Sequence, residues 1–214
     1  RLNISLNVKT EPTTFKMRNL TVHGTFITET HFALRTREDT FFNVSFWAAE
    51  LNKHQWGWRM VNGTCDGRAF VKGPHTTLEC ANLKVGVEHS SMVVLIDEWE
   101  VTVSGQPVYD WVAGPINRLD ISYEPRVALK RLAGSPHGIV GQAFDGDTRP
   151  RMGRIDQYPP TDVPGKEFTT TAMAEGAIEG AAADYEAASP YSTDFKYTRF
   201  DRGPRPKATA AGRP

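Results

Sequence analysis

The sequence predicts an all-β fold: an antiparallel β-sandwich followed by a C-terminal irregular region that contains one short helix and a flexible tail. Segments that alternate apolar and polar residues recur along the first two thirds of the chain, with Gly, Asn and Pro between them. This alternation has the two-residue period of a strand, and its short spacing is typical of sandwiches and barrels. The sequence has no strand–helix alternation that would build a parallel sheet.

The organisation along the chain follows from these segments. We expect residues 1–150 to form the sandwich, 151–202 an irregular extension packed on it, and 203–214 the tail, which has no large apolar residue. The predicted strands are, in chain order, 2–8, 19–22, 41–46, 55–61, 76–80, 82–89, 91–108, 118–124 and, in the extension, 194–200.

Three stretches carry additional signals. The apolar run at 92–96 predicts a strand that is covered on both faces, and residues 104–106 are expected to form a turn. The Ala-rich stretch at 172–188 predicts only a short helix, because Gly176 and Gly180 each cost a helix about 1 kcal/mol relative to Ala. The sequence indicates no role for this last stretch.

Charge and hydropathy exclude two classes of partner. The chain has 25 basic and 25 acidic residues and a formal net charge of zero, so it lacks the positive excess that binds nucleic acid or an anionic membrane. Its longest apolar run, 92–96, is far shorter than the ~20 residues that span a bilayer. The chain opens with Arg, and we expect it to be processed from a precursor or to be part of a longer chain.

The asparagines favour the secretory pathway. Four of the eight begin an Asn-x-Ser/Thr sequon, where chance would give about one. Alternation places the first three on the polar face of a predicted strand, where a glycan can reach solvent, although such faces contain Asn, Ser and Thr without any glycan too. We therefore expect a secreted glycoprotein. The predicted glycosylation sites are Asn3, Asn19, Asn43 and Asn62.

The two cysteines, Cys65 and Cys80, are expected to pair in an oxidising compartment. A bridge that closes a loop of about 15 residues stabilises by roughly 3 kcal/mol in the chain-entropy description. The alternative is two separate buried thiols. A structural zinc site is not predicted, because no histidine lies beside the cysteines at ligand spacing.

The stretch SPHGIVGQAFDGD at 135–147 poses the question of a phosphate loop or a metal loop. A Walker loop needs Lys after its glycines, and a dinucleotide loop needs Gly-x-Gly-x-x-Gly at the start of a helix. The spacing of Gly138, Gly141 and Gly146 fits neither. Nucleotide binding is therefore not predicted.

Three segments together resemble the von Willebrand factor type D domain: VTVSGQPV (101–108), RLDISYE (118–124) and HGIVGQAFDGD (137–147). The first is similar to the family's Val-x-Val-x-Gly-x-x-Val hairpin. The last is similar to its Gly-Leu-Cys-Gly segment and acidic loop, with Val140 in place of the cysteine and the loop displaced by one residue. The likeness is greatest to the cysteine-poor branch, which includes root-cap and late-embryogenesis-related proteins and the C-terminal region of inter-alpha-trypsin inhibitor heavy chains.

This resemblance implies an extracellular β-rich module without catalytic residues, used in assembly and matrix contacts. It also nominates Asp145 and Asp147 as calcium ligands, because the acidic loop binds calcium in many type D domains. Calcium takes about six to eight oxygen ligands, so two carboxylates would need carbonyl oxygens beside them. The alternative is an ordinary turn around Gly146. No other cofactor is predicted.

An aromatic cluster includes Trp56 and Trp58, which share a face if their segment is a strand. We expect both in the core, and a sugar-binding platform or a subunit interface are the alternatives. Asp97 and Glu98 are consecutive residues at the end of a predicted strand, so we expect them to point to opposite faces. That placement does not favour the paired carboxylates of a glycosidase.

These observations predict a secreted, N-glycosylated, non-catalytic module that serves a structural or assembly role in an extracellular matrix, wall or filament. Its expected partners are other extracellular proteins or further copies of itself, in a homo-oligomer or filament. The alternative is an extracellular protein that binds calcium through Asp145 and Asp147 or carbohydrate through Trp56 and Trp58. A polysaccharide-cleaving enzyme is the third interpretation, and it needs two carboxylates that converge in a cleft.

Overall fold

A computed structural model describes residues 2–48, 61–72, 75–80, 83–88, 90–128, 131–132 and 182–195, together with Phe144, Thr198 and Phe200. These residues contain eleven strands and a 3₁₀ turn, Ala182–Tyr185. The strands are β1 (Asn3–Met17), β2 (Leu20–Arg35), β3 (Phe41–Trp47), β4 (Val61–Cys65), β5 (Arg68–Lys72), β6 (Thr76–Cys80), β7 (Leu83–Glu88), β8 (Ser91–Ile96), β9 (Trp99–Pro107), β10 (Trp111–Ala113) and β11 (Asn117–Pro125).

The strands form two antiparallel sheets. The larger sheet has six strands in the order β10-β1-β2-β3-β4-β5, and the smaller has five in the order β11-β9-β8-β7-β6. Strands that are neighbours in the chain are mostly neighbours in a sheet, as short hairpins produce. β10 is an exception, because it leaves the connection between β9 and β11 to pair with β1 of the larger sheet. The predicted all-β antiparallel sandwich is confirmed.

The core lies between the two sheets and follows from the alternation along each strand. In the smaller sheet, Met92, Val94 and Ile96 of β8 are buried while the residues between them are half-buried. Each fully buried side chain of this size contributes about 1.5–3 kcal/mol of transfer free energy. The core members with at most 2 % exposure are Phe32, Leu34, Phe42, Val44, Phe46, Ala48, Leu83, Val85, Val87, Met92, Val94, Ile96, Val101, Val103 and Leu119.

Covalent and polar links also join the sheets. Cys65 and Cys80 form the predicted disulfide, with their Cα atoms 6.5 Å apart. Cys65 ends β4 in the larger sheet and Cys80 ends β6 in the smaller one. A polar link involves Arg37: its backbone N–H donates to Asp97 Oδ2 at 3.2 Å, and its guanidinium pairs with Glu98.

The placement of Asp97 and Glu98 corrects the sequence analysis. The two residues form the turn between β8 and β9, where Asp97 has a φ of 48°. The predicted β segment at 91–108 is divided here into β8 and β9, and the two carboxylates converge on Arg37 instead of pointing to opposite faces. The reason is that a turn carries them, and a turn does not impose the alternation of a strand.

Other boundaries also differ from prediction. β1 and β2 extend well past the predicted segments at 2–8 and 19–22 and pair along their whole length. The turn predicted at 104–106 is wrong, because Gly105 is buried inside β9 opposite Leu119. A glycine in a strand can also mark close approach by another segment, and here the Gly105 N–H donates to the Ser90 carbonyl at 2.8 Å.

The strand predicted at 194–200 is not present in the four of its residues that the structure describes: Asp194, Phe195, Thr198 and Phe200. In the described part of the chain, no helix has the length and apolar character needed to cross a membrane.

Candidate functional site

The outer face of the larger sheet, which points away from the core, carries a row of polar side chains. The register pairs Asn7 with His31 and His31 with Ser45, so these residues lie side by side across β1, β2 and β3. Alternation places them outward because the residues that flank them point inward: Phe32, next to His31, and Val44, next to Ser45, are core members.

The C-terminal segment, which we define as residues 182–195, lies against this row. The side-chain amide of Asn7 donates to the carbonyls of Pro190 and Ser192, each at 2.8 Å. Asparagine has two amide N–H donors, so both are used to hold the segment. Because backbone carbonyls of an irregular segment lack strand partners, the Asn7 side chain supplies the donors that a neighbouring strand would otherwise give.

Tyr191 extends the row into a chain of hydrogen bonds. Its hydroxyl lies 2.6 Å from Ser45 Oγ, which lies 2.7 Å from His31 Nδ1. On the other side of the imidazole, His31 Nε2 lies 3.3 Å from Glu29 Oε2. Glu29 also accepts from Lys9 Nζ at 2.8 Å and from the Trp47 indole N–H at 3.2 Å. We call these residues the Tyr191 network: Lys9, Glu29, His31, Ser45, Trp47 and Tyr191.

Electrostatics determine where the protons of the Tyr191 network lie. Burial lowers the pKa of His31, with partial opposition from Glu29, so the imidazole is neutral at pH 7. Burial disfavours ionisation of Glu29, but its polar contacts, of which those with Lys9 are the strongest, together outweigh burial, and the pKa of Glu29 is lowered. A neutral imidazole beside a carboxylate carries its proton on the nitrogen that faces it, so His31 Nε2 donates to Glu29. Nδ1 then accepts from Ser45, whose oxygen accepts from Tyr191.

A serine, an imidazole and a carboxylate linked in this order are the components of a nucleophilic triad. In this protein Ser45 is only 1 % exposed, and its Oγ is already bonded to Tyr191. A substrate carbonyl therefore has no access to that oxygen while the C-terminal segment is in place. What the arrangement does in the observed state is attach the segment to the sheet.

The four sequon asparagines lie in different environments. Asn19 is exposed in the turn between β1 and β2, not on a strand as predicted. Asn43 and Asn62 are half-buried on the outer face of the larger sheet. The expectation that Asn3 faces solvent is wrong, because it is 8 % exposed. Both faces of β1 are covered at that end, where Ile4 packs on the core.

A second feature is an open concavity at the other end of the β1–β2 hairpin. It has a volume of about 510 Å³ and is lined by Lys16, Arg18, Asp110, Trp111 and Val112. Its floor is built by strand pairing, since β10 adds to the edge of β1 and the Lys16 N–H donates to the Asp110 carbonyl at 2.8 Å. The concavity therefore combines one aromatic ring with two cations and one carboxylate.

The other predicted sites lie outside the described residues. These are the calcium candidates Asp145 and Asp147 and the tryptophans Trp56 and Trp58. In the residues that the structure does describe, no group of three or more His, Cys, Asp or Glu side chains is arranged to hold a metal ion.

Sequence reasoning missed the Tyr191 network. One signal was available, because Glu29 and His31 are two residues apart and so share a face if their segment is a strand. Ser45 is the last residue of the Asn43 sequon, and that motif does not indicate a contact with His31. Their meeting depends on the register of β2 against β3, and no local pattern around Tyr191 reports its distant partner.

Comparison with protein-family models, with curated proteins and with solved structures gives no match for this chain. Its function therefore has to be inferred from its own residues.

Proposed function

We propose that this chain is a secreted, N-glycosylated, non-catalytic module that takes part in assembly within an extracellular matrix, wall or filament. The type D-like character suggested by its motifs is part of this proposal. Its partners are other extracellular proteins or further copies of itself.

The disulfide between the two sheets is the observation that carries the proposal. Such bridges persist in oxidising compartments and are rare in reducing ones. Cys65 and Cys80 come from different sheets, so the bridge crosslinks the sandwich itself. The exposed turn at Asn19 adds support, because a sequon asparagine at the end of a hairpin is accessible for glycosylation.

The Tyr191 network supports the non-catalytic part of the proposal. Its serine is bonded to a residue of the same chain, and its carboxylate is occupied by Lys9 and Trp47 as well as by His31. Polar groups that satisfy one another's hydrogen bonds in this way hold chain segments together and favour one arrangement of those segments. A structural role uses the network as it stands, whereas catalysis requires the segment to leave.

Intact mass spectrometry tests the compartment. The chain is expressed behind a secretion signal in eukaryotic cells and weighed before and after enzymatic removal of N-glycans. We expect the mass to fall by at least one glycan, and we expect no thiol to react with a maleimide before reduction. Thr21→Ala, which destroys the Asn19 sequon, should remove one glycan from the total.

The matched control is Thr25→Ala, which changes another exposed threonine of β2 that belongs to no sequon. It should leave the glycan number unchanged. An unchanged mass after glycan removal, or two reactive thiols in the secreted protein, contradicts the proposal. Light scattering on the same samples tests self-assembly, and a monomer at every concentration rules out assembly from copies of this chain alone.

A further inference from the structure

The end of the β1–β2 hairpin exposes apolar side chains next to a sequon. Met17 and Leu20 face each other across the last pair of the ladder, with Arg18 and Asn19 forming the turn between them. Arg18 takes a φ of 58°, which closes the hairpin in two residues. Met17 and Leu20 are 57 % and 52 % exposed. Asn19 therefore lies in a turn that is flanked on both sides by exposed apolar side chains.

The concavity described above begins at the same turn. Arg18 and Lys16 line it on the side of β1, and Trp111 lines it on the side of β10. The indole N–H of Trp111 donates to the Gly114 carbonyl at 3.0 Å, which fixes the ring although nearly half of it is exposed. Gly114 has a φ of 91°, a conformation that favours glycine. The ring is thus held in place before any ligand arrives.

The distance between the sequon and the ring is short. Trp111 pairs with Phe15 in the ladder between β10 and β1. Met17 lies two residues further along β1, a rise of about 7 Å for a strand, and Asn19 follows it in the turn. The first sugars of a glycan on Asn19 therefore reach the concavity without any change in the backbone.

We propose that the glycan attached to Asn19 packs back into this concavity, with a sugar ring stacked on Trp111. The inference rests on the proposed function, because it requires the chain to be glycosylated at Asn19. The C–H face of a pyranose carries partial positive charge and lies against the negative face of an indole. Its hydroxyl groups bond to Lys16, Arg18 and Asp110, which supply both donors and an acceptor.

The composition of the concavity favours a saccharide over a partner protein. One fixed aromatic ring with charged groups around it offers a stacking face together with hydrogen-bond donors and an acceptor, and a sugar ring can use both. A covalently attached glycan also binds at a high effective concentration, so a weak stacking contact is enough. The packed glycan would also cover Met17 and Leu20. More than half of each of these apolar side chains is exposed in the described part of the chain.

A double-mutant cycle tests the contact in the full chain made by glycosylating cells. The four proteins are wild type, Trp111→Ala, Asn19→Gln and the double variant, each with the occupancy of Asn19 measured by glycopeptide mass. In the glycosylated background we expect Trp111→Ala to lower Tm by about 2–4 °C. We also expect it to speed release of the Asn19 glycan by an amidase about fivefold. In the Asn19→Gln background the same change should leave Tm unaltered.

The matched control is Tyr109→Ala, which removes a neighbouring aromatic side chain that is 75 % exposed and does not line the concavity. It should change neither Tm nor the release rate. If Asn19 carries no glycan, glycosylation at this site and the inference fail together. If the glycan is present but Trp111→Ala acts equally in both backgrounds, the inference alone is overturned. Loss of self-association on Trp111→Ala in the Asn19→Gln background also overturns it, because the concavity is then a protein contact.

Discussion

The hydroxyl of Tyr191 lies 2.6 Å from Oγ of Ser45, a residue 146 positions earlier in the chain. Closing so long a loop has an entropic cost, although that cost grows only slowly with length. The contact therefore needs other bonds beside it, and the two amide bonds from Asn7 to Pro190 and Ser192 supply them. These bonds form one attachment that holds the C-terminal segment on the outer face of the larger sheet.

Removing the Tyr191 hydroxyl should loosen the C-terminal segment without disturbing the sandwich. Tyr191→Phe keeps the ring, which packs edge-on against His31 at 5.9 Å, and it leaves Ser45 free to donate to His31. We expect a loss of about 1 kcal/mol and faster hydrogen exchange in residues 182–195. Tyr109→Phe is the control, because its side chain is largely exposed. Equal rates of hydrogen exchange in Tyr191→Phe and Tyr109→Phe would show that the contact with Ser45 does not hold the C-terminal segment on the sheet.

His31 should make stability depend on pH. Its pKa is lowered in the folded protein, chiefly by burial, from an ordinary value of 6.5. Below pH 6.5 the unfolded chain binds a proton that the folded protein does not, so stability falls as the pH drops toward the lowered pKa. Above pH 6.5 the imidazole is neutral in both states and its contribution is fully present. We expect the urea midpoint to be level above about pH 7 and to decrease as the pH falls below about 6.5.

His31→Gln is the control for this pH dependence, since it removes the titrating group and keeps a polar side chain. Glu29 does not interfere in that range, because its pKa is lowered from 4.5 and its contribution is lost only at lower pH. The variant should lose most of the decrease that begins below about pH 6.5. Parallel curves for the two proteins would contradict the assignment to His31.

The ladder between β3 and β4 should be intolerant of any side chain at Gly63. A Cβ built there lies 1.8 Å from the backbone oxygen of Asn43, so the two strands must separate. We expect Gly63→Ala to destabilise by about 3 kcal/mol in urea unfolding. Gly86→Ala is the matched control, because Gly86 also lies within a strand and a Cβ there has no atom within 4 Å.

Gly86→Ala should change the stability in the opposite direction from Gly63→Ala. Alanine loses less backbone freedom on folding than glycine in a strand interior, so Gly86→Ala is expected to stabilise by about 0.5 kcal/mol. Similar effects of the two substitutions would mean that the approach of β4 to Asn43 is not what sets the cost at Gly63.

The fold class was predictable because alternation is a local property. In β9, buried Val101 and Val103 alternate with the polar residues Thr102 and Ser104, and this pattern can be read without knowing any partner strand. The same pattern gave Ile4 and Leu6 of β1 their inward orientation. It failed at Asn3, because alternation states only that two neighbours face opposite ways and not that one of the two faces is left open to water.

The candidate sites depend on pairings that no local pattern contains. Ser45 meets His31 through the register of two strands, and Tyr191 meets Ser45 across most of the chain. The Trp111 concavity exists because three residues of a connection in the smaller sheet pair with the edge of the larger one. Turns are also poorly predicted by composition alone, because glycine is common in turns but Gly105 lies inside β9.

The disulfide should contribute much of the stability of the sandwich. It closes a loop of 15 residues between Cys65 and Cys80, for which the chain-entropy description gives about 3 kcal/mol. The doubly substituted Cys65→Ala, Cys80→Ala protein should therefore unfold in urea with a free energy lower by about that amount. Wild-type protein kept in reductant should match it to within about 1 kcal/mol, because both lack the bridge and differ only in two thiols. If reduction leaves the midpoint unchanged while the double substitution lowers it, the cysteines stabilise by packing and not by the covalent link between the sheets.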